Sequence, residues 1–419
     1  MKSTQNNPKR TYTLAFFMCF LGVSFYFYEY YLRVAPSVMH DPLKQDFGLG
    51  EAAFGHLAAF YYYAYTPMQV PVGVLFDRYG VRKILTMACL ICAGAAYLFS
   101  ETSHLWVAQA ARFLMGFGSA FAYVGILKIS HVWLPKKYFA FMAGLSSTLG
   151  MLGASSGQVV MTALVRQIGW RETLCFLALI GLVLTELLWL FLRDKVAEDV
   201  QPIVGSSQKD YVAVPLKSLK KILFSKQIWI NGVIGCLTFL PIAGFAETWA
   251  PDFLKAAGMS ESKAAWGSSM LFLGFAVGGP WWGFLSDKMH SRRIPLIMGS
   301  SVAVIFMSLA IFMPSASVAW MYPLLFFTSF FASAQILIFA VSNDIAHGSV
   351  SATAIAFTNM LTMIGGMFLP TMIGALLDDS ALLEQACVAG DYTAALVVLP
   401  VALLIAAGLS VMLKESYRH

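Results

Sequence analysis

Twelve apolar runs of about 20 residues constrain this chain more than any other feature of its sequence. A helix needs roughly 20 apolar residues to cross the hydrocarbon core of a bilayer. Such runs lie near residues 12–34, 54–76, 84–100, 105–130, 138–164 and 173–192, and near 228–253, 264–285, 294–313, 318–343, 352–376 and 393–413. Only 12% of the residues are charged, against roughly 25% in a soluble domain. The sequence therefore predicts an all-α integral membrane protein with twelve transmembrane helices.

One long polar connection, residues 193–226, divides the runs into two sets of six. It predicts a first six-helix half at 1–192, a cytoplasmic linker with a surface helix at 193–226, and a second half at 227–419. A polar motif occurs in both halves, as GVLFDRYGVRK at 73–83 and GFLSDKMHSRR at 283–293. This repeat predicts two pseudo-symmetric six-helix bundles, an arrangement in which the halves rock about a central site.

The distribution of Lys and Arg predicts the orientation in the membrane. The side that holds both termini, both motifs and the linker collects twenty of them, and the opposite side five. Cytoplasmic loops carry the excess of Lys and Arg. We therefore expect a multi-pass protein of the cell (inner) membrane with both termini in the cytoplasm.

The motif between the second and third runs resembles a known signature. Its residues Gly73, Asp77, Arg78, Gly80, Arg82 and Lys83 are similar to the loop between the second and third helices of the major facilitator superfamily, and Gly283, Asp287 and Arg292 form a weaker copy. The resemblance implies a secondary transporter that works by alternating access, with both motifs in gating loops. We expect Gly73 to let two helices approach closely and Gly80 to form a sharp turn with positive φ.

Ionisable and tyrosine side chains inside the runs are the candidate substrate and proton-coupling residues, because charges in a membrane are costly without a partner. These candidates are Tyr28, Glu29, Arg33, Tyr62, Arg112, Lys128 and Glu247. Glu29 and Arg33 lie four positions apart and share a helix face. Tyr62 belongs to a crowded run, Tyr61 to Tyr65, of which at most half can face a cavity.

Each candidate also has a purely structural interpretation. Glu29 and Arg33 could neutralise each other near the outer interface, and Glu247 could be an outer-edge residue in contact with water. Arg112 lies in a segment that resembles the superfamily's fourth-helix motif, whose Arg faces the bundle interior; it could contact a substrate anion or be held by backbone carbonyls. Lys128 could mark the cytoplasmic end of its span.

The residues Tyr28 to Pro36 resemble proteobacterial members of the superfamily, including the intraphagosomal amino-acid transporter group. That resemblance implies an amino acid or short peptide as substrate. Acidic groups in the first and seventh spans suggest proton coupling. A carboxylate, siderophore or other organic anion remains the alternative substrate. A non-transporting membrane sensor or assembly partner is the alternative of another class.

Other functions are disfavoured by the sequence. It contains no phosphate-binding loop, metal-ligand cluster or nucleophile–base motif, so we expect neither an enzyme nor a cofactor or metal site. The net charge of +6 does not suggest nucleic acid. The expected partners are a small-molecule substrate, the lipid bilayer and protons. Because one chain holds both halves, we expect it to function as a monomer.

Overall fold

A computed structural model describes residues 8–135, 138–194, 223–314, 317–346, 351–381 and 388–417, and within these ranges the regular structure is helical, with no strand. The described residues up to Asp194, here called the first half, contain α1 (Pro8–Val38), α2 (His40–Phe47), α3 (Glu51–Met68), α4 (Val72–Tyr79), α5 (Val81–Glu101), α6 (Leu105–Ser119), α7 (Ala122–Trp133), α8 (Phe139–Ile168) and α9 (Trp170–Phe191). The described residues from Leu223 onward, here called the second half, contain α10 (Lys226–Leu240), a π-helix (Pro241–Trp249), α11 (Ala250–Ala256), α12 (Glu261–Met289), α13 (Arg293–Phe312), α14 (Val318–Ala332), a 3-10 turn (Ser333–Ile336), α15 (Leu337–Ile345), α16 (Ser351–Ala381), α17 (Ala389–Leu396) and α18 (Val398–Met412).

Ten helical segments are long and apolar enough to cross a membrane, judged by length and composition among the described residues. They coincide with ten of the predicted runs. The second and eighth runs fall on α3–α4 and on α12, which are helical but less apolar. The all-α membrane fold is therefore confirmed, while the count of twelve spans stays a prediction. The surface helix predicted near residues 216–223 lies almost entirely outside the described residues.

Apolar side chains face outward and charged side chains face inward along the long helices. Phe20, Trp106 and Phe284 are 64%, 70% and 68% exposed, whereas Glu29 is fully buried. In water this distribution would be unfavourable, because exposed apolar area is costly. In lipid it is favourable, since the hydrocarbon accepts the apolar surface and the bundle interior shields the charges.

The two halves are in close contact where α3 meets α16 and where α8 meets α12. At the first contact the backbones touch. A Cβ atom added at Gly55 would lie 2.2 Å from the carbonyl oxygen of Pro370, and one added at Gly374 would lie 2.3 Å from that of Glu51. Asp378 also accepts hydrogen bonds from the backbone N–H groups of Glu51 and Ala52, both at 2.8 Å. The halves are thus closed against each other at the end formed by α2, α11 and the first turn of α3, here called the α2 end.

Candidate functional site

Glu29 and Arg33 form a buried ion pair on one face of α1. The Arg33 guanidinium lies 3.1 Å from Glu29 Oε1, and the two side chains are 2% and 0% exposed. The Tyr61 hydroxyl of α3 donates to Glu29 Oε2 at 2.8 Å and accepts from Arg33 Nε at 3.1 Å. The pair lies in the bundle interior rather than at its surface, where the loss of one partner would leave an uncompensated charge.

Glu247 brings a second carboxylate to this pair from the other half. Its Oε1 atom lies 3.9 Å from Arg33 Nη1, and the Tyr62 hydroxyl donates a hydrogen bond to its Oε2 atom. Glu247 is 3% exposed, so the outer-edge interpretation of this residue is wrong. It lies in the π-helix, which begins at Pro241, a residue with no backbone N–H to donate. Short π-helical segments occur frequently at functional sites.

Arg112 of α6 is buried beside the same tyrosine. Its Nη1 atom donates to the carbonyl oxygen of Leu32 at 2.6 Å, and its guanidinium lies 5.1 Å from the centre of the Tyr61 ring. Its Nε atom has no hydrogen-bond partner among the described residues. Arg112 is therefore held by the backbone of α1, as the structural interpretation expects, but keeps one donor for another group.

Aromatic rings enclose the Arg33 guanidinium. The rings of Tyr30, Tyr61 and Tyr65 have their centres 4.5, 5.2 and 4.6 Å from it. Cations are attracted to the faces of such rings, most strongly where water is excluded. The sequence predicted that part of the tyrosine run faces the interior, and Tyr61 and Tyr65 are buried, but their contact with Arg33 was not predicted. Tyr30 was not singled out, because tyrosines near a span end are common at membrane interfaces.

Tyr28 and Lys128 lie elsewhere. The Tyr28 hydroxyl is buried where α1 meets α9 at Gly181, without a hydrogen-bond partner in the described part of the chain. Lys128 forms an ion pair with Asp77 of the first motif and is 35% exposed. The structure thus brings together Glu29, Arg33, Tyr62, Arg112 and Glu247, and it places Lys128 beside the first repeated motif.

Gln158 of α8 is a polar contact between the halves that the sequence did not reveal. Its side-chain amide donates to Ser37 Oγ at 2.9 Å and to the carbonyl oxygen of Ala246, in the π-helix, at 3.1 Å. Gln158 is fully buried. A lone amide within an apolar run was the only signal available, and such an amide is also compatible with contacts inside one half.

Each of the two repeated motifs is capped by a carboxylate that lies just after the last long helix of its own half. In the first, Asp194 accepts from the backbone N–H groups of Val81 and Arg82 at 2.8 and 3.1 Å. In the second, Glu415 accepts from Arg292 and Arg293 at 2.8 and 3.3 Å. Carboxylates are favourable at helix N-termini, where N–H groups are unpaired. These caps were missed, although an acid directly after the sixth and twelfth runs was visible in the sequence.

Gly80 has the predicted positive φ, whereas Gly73 does not make the predicted close contact between helices. Gly80 has φ +82°, and its counterpart in the second motif, His290, has φ +50°. A Cβ atom added at Gly73 or at Gly283 would meet nothing within 4 Å. The expected close approach of helices at Gly73 is therefore absent from this conformation. Arg78 and Lys83 are exposed, while Arg292 pairs with Asp287 at 2.7 Å and with Asp344 at 3.5 Å.

Comparisons with known proteins identify transporters that are similar to this chain. The chain is 25% identical over 383 residues to the "Probable sulfoacetate transporter SauU" of Cupriavidus necator, covering 84% of this chain and 85% of the relative. It is 24% identical over 393 residues to the "Probable galactarate/D-glucarate transporter GudP" of Escherichia coli, covering 85% of each chain. The relatives are thus named as transporters, in agreement with a protein that is not an enzyme.

The fold is also that of a solved transporter. A bacterial homologue of the human lysosomal transporter Spinster, in an inward-facing and unoccupied conformation, superposes with a TM-score of 0.79 at 18% identity, covering 96% of this chain and 97% of that one. The sequence model described as Major Facilitator Superfamily matches residues 12–370. The chain therefore belongs to the Major Facilitator Superfamily.

Proposed function

We propose that this protein is a secondary transporter of a small organic anion, a carboxylate or a sulfonate. The observation that carries the proposal is the convergence of two buried guanidinium groups, those of Arg33 and Arg112, on one tyrosine ring. They come from different helices and lie 5.2 and 5.1 Å from the centre of the same Tyr61 ring. Arginine is well suited to bind carboxylate and similar oxyanions through paired N–H donors. The names of the sulfoacetate and glucarate relatives support the same substrate class.

Proton coupling follows from the charge balance of this site. Two carboxylates, Glu29 and Glu247, face the two guanidinium groups, so the site is neutral when all four are ionised. An entering anion would add an uncompensated buried charge, which is strongly unfavourable. If Glu29 or Glu247 takes up a proton, a guanidinium is released for the anion and one negative charge of the anion is balanced. A dianion such as sulfoacetate or D-glucarate requires a proton on both carboxylates for the site to stay neutral. The proposed unit is a monomer that transports the anion together with as many protons as the anion has charges.

Alternating access in this proposal moves residues 1–192 against residues 227–419, with both termini on the cytoplasmic side of the inner membrane. Glu247 contacts Arg33 and Tyr62 across the two halves. When an anion takes the place of Glu247 on Arg33, that contact is lost and the relative stability of the two conformations changes. A ligand shifts a conformational equilibrium only through such a difference in its interactions.

An amino acid or short peptide is the second candidate substrate. The site offers carboxylates beside guanidinium groups, so the ammonium and carboxylate of a zwitterion would each find a partner of opposite charge. The resemblance of residues Tyr28 to Pro36 to the intraphagosomal amino-acid transporter group points the same way.

Uptake into proteoliposomes distinguishes these substrates. Radiolabelled sulfoacetate, D-glucarate and a mixture of amino acids are offered with and without an inward proton gradient. We expect uptake of one of the anions, enhanced by the gradient and abolished in Arg112→Gln and Arg33→Gln. Arg166→Gln is the matched control, because Arg166 is an exposed arginine at the end of α8. It should transport as the wild type does.

Two other outcomes would reject the proposal. Uptake of amino acids without uptake of either anion would favour the second candidate. Saturable binding of an anion, measured by thermal shift, without flux under any gradient would favour the sensor instead.

A further inference from the structure

A second cluster of charges joins the two halves at the α2 end, outside the site described above. His40, the first residue of α2, is only 4% exposed and meets three carboxylates. Its Nδ1 atom lies 2.9 Å from Asp41 and 3.3 Å from Asp252, and its Nε2 atom lies 2.8 Å from Glu51. Asp41 is on the same helix, Glu51 is on α3, and Asp252 is on α11 of the other half.

When its three carboxylate partners are ionised, this geometry requires a protonated imidazole. An ionised carboxylate has no hydrogen to donate, so each ring nitrogen must donate to its carboxylate partner. A neutral imidazole has one N–H group and one acceptor nitrogen, and only the imidazolium has two donors. Burial alone would lower the pKa of His40, but Asp252, Asp41 and Glu51 together raise it to about 9.

Two lysines complete the charge balance of the cluster. Lys255 of α11 lies 2.7 Å from Asp41 and 2.6 Å from Asp252, while Lys44 of α2 pairs with Glu51. Three cations therefore face three carboxylates, but only when His40 carries a proton. His40, Asp41 and Asp252 are close enough to hold a metal ion, yet the Lys255 ammonium already provides the positive charge between the two aspartates.

We propose that His40 is a proton-dependent clasp between the two halves. Closing of the α2 end binds a proton on His40, and opening releases that proton to the side of the membrane that the α2 end faces. The contacts that cross between the halves carry this inference. Asp252 and Lys255 belong to the second half, whereas His40 and Asp41 belong to the first, so separation of the halves breaks the His40–Asp252 and Asp41–Lys255 pairs together. The clasp controls access to the site and is independent of which substrate the site binds.

The pH window follows from the sign of the shift. In the open state His40 loses Asp252, and water screens its remaining carboxylates, so its pKa returns toward 6.5. Because the pKa of His40 is higher in the closed state, protonation of His40 stabilises the closed state. This stabilisation is complete at a pH below the open-state pKa and is lost as the pH rises through about 9. Between these two values, closure takes up a proton.

Distances between spin labels test the clasp without any substrate. Nitroxides are attached at Gln45→Cys and Ser260→Cys, two exposed positions that flank the clasp in the two halves, in the full-length chain with its six native cysteines replaced. Pulsed EPR spectra are recorded in lipid nanodiscs from pH 6 to pH 10, with EDTA present. We expect the short-distance population to fall as the pH rises, with its midpoint between 6.5 and about 9.

Three variants make the test specific. His40→Gln should lower the short-distance population at pH 7 and remove its dependence on pH. Asp252→Asn keeps the imidazole and should move the midpoint to lower pH, which also serves if His40→Gln does not fold. His56→Gln is the matched control, since His56 is a histidine near the same end of α3 whose ring packs on Phe60 and Tyr63. It should follow the wild type.

The proposal is overturned if the wild type and His40→Gln show the same pH profile, or if His56→Gln changes the profile as much as His40→Gln does. It is also overturned if the wild-type response appears only when EDTA is left out, because a metal would then be the ligand. None of these results depends on transport, so failure of the clasp and failure of the anion proposal are distinguishable.

Discussion

Substitution of Gly55 by alanine should separate the two halves at the α2 end. The new methyl group would lie 2.2 Å from the carbonyl oxygen of Pro370, about 1 Å short of the 3.4 Å at which ordinary contact begins. The obstructing atom belongs to the backbone of α16 and has no rotamer by which to move away. Relief therefore requires α3 and α16 to move apart.

The expected magnitude follows from the cost of overpacking, typically about 1–3 kcal/mol. This cost falls on the closed state alone, because the contact between α3 and α16 at this end is lost when the halves separate. A change of about 1.4 kcal/mol is tenfold in a population ratio. The ratio of closed to open molecules should therefore decrease by a factor of roughly 5 to 150.

Pulsed EPR with labels at Gln45→Cys and Ser260→Cys measures this ratio directly. Gly94→Ala is the matched control, because a Cβ atom there meets nothing within 4 Å while the gain in helix propensity is the same. We expect a longer mean distance in Gly55→Ala and the wild-type distance in Gly94→Ala. If Gly55→Ala keeps the wild-type distribution, the reasoning that backbone contact at this position closes the bundle is refuted.

Three further outcomes are expected. Tyr61→Phe removes the hydroxyl that links Glu29 and Arg33 and should lower the free energy of unfolding by about 1–3 kcal/mol. Thermal unfolding measures this loss, and the control is Tyr63→Phe, because the Tyr63 ring packs on His56 and Phe60 instead. Gly80→Ala forces a side chain into φ +82° and toward the Asp194 carboxylate, which should cost on the order of 1–3 kcal/mol; wild-type stability would contradict it. Hydrogen bonds from Ser291 and the backbone hold the pKa of Glu415 at about 2 despite partial burial, so its contribution is present above 4.5 and lost as the pH falls toward 2. The difference in melting temperature between wild type and Glu415→Gln should shrink over that interval.

The membrane fold could be predicted from the sequence because hydrocarbon imposes a simple rule on apolar length. Apolar length identifies α3–α4 and α12 less clearly as membrane spans, because these helices are less apolar than the others. Of these, α3 and α12 line the contacts between the halves and carry tyrosines, serines and glycines in place of larger apolar residues. The faces of α3 and α12 at these contacts are buried against protein, whereas Phe284 of α12 is exposed on the outer surface, and the sequence alone does not distinguish the two environments.

The pairing of Glu29 with Arg33 was also predictable, since residues four positions apart on a helix are neighbours. The approach of Glu247 to that pair was not predictable in the same way. Glu247 lies more than 200 residues away along the chain, and its direction depends on a π-helix that the sequence marks only by Pro241 and Gly244. Likewise, His40 was not recognised, because its three carboxylate partners come from three separate elements.

The π-helix between Pro241 and Trp249 gives this protein an unusual tolerance for a change in length. Each hydrogen-bonded ring of a π-helix encloses one more residue than a ring of an α-helix. The deletion of a single residue within this segment would therefore let it rewind as an ordinary α-helix, while α10 and α11 keep their own hydrogen bonds. Such a shortened chain should still insert and fold, yet Glu247 would point in another direction. If Glu247 takes part in transport as proposed, one missing residue would then abolish transport and leave a membrane protein of nearly the same shape.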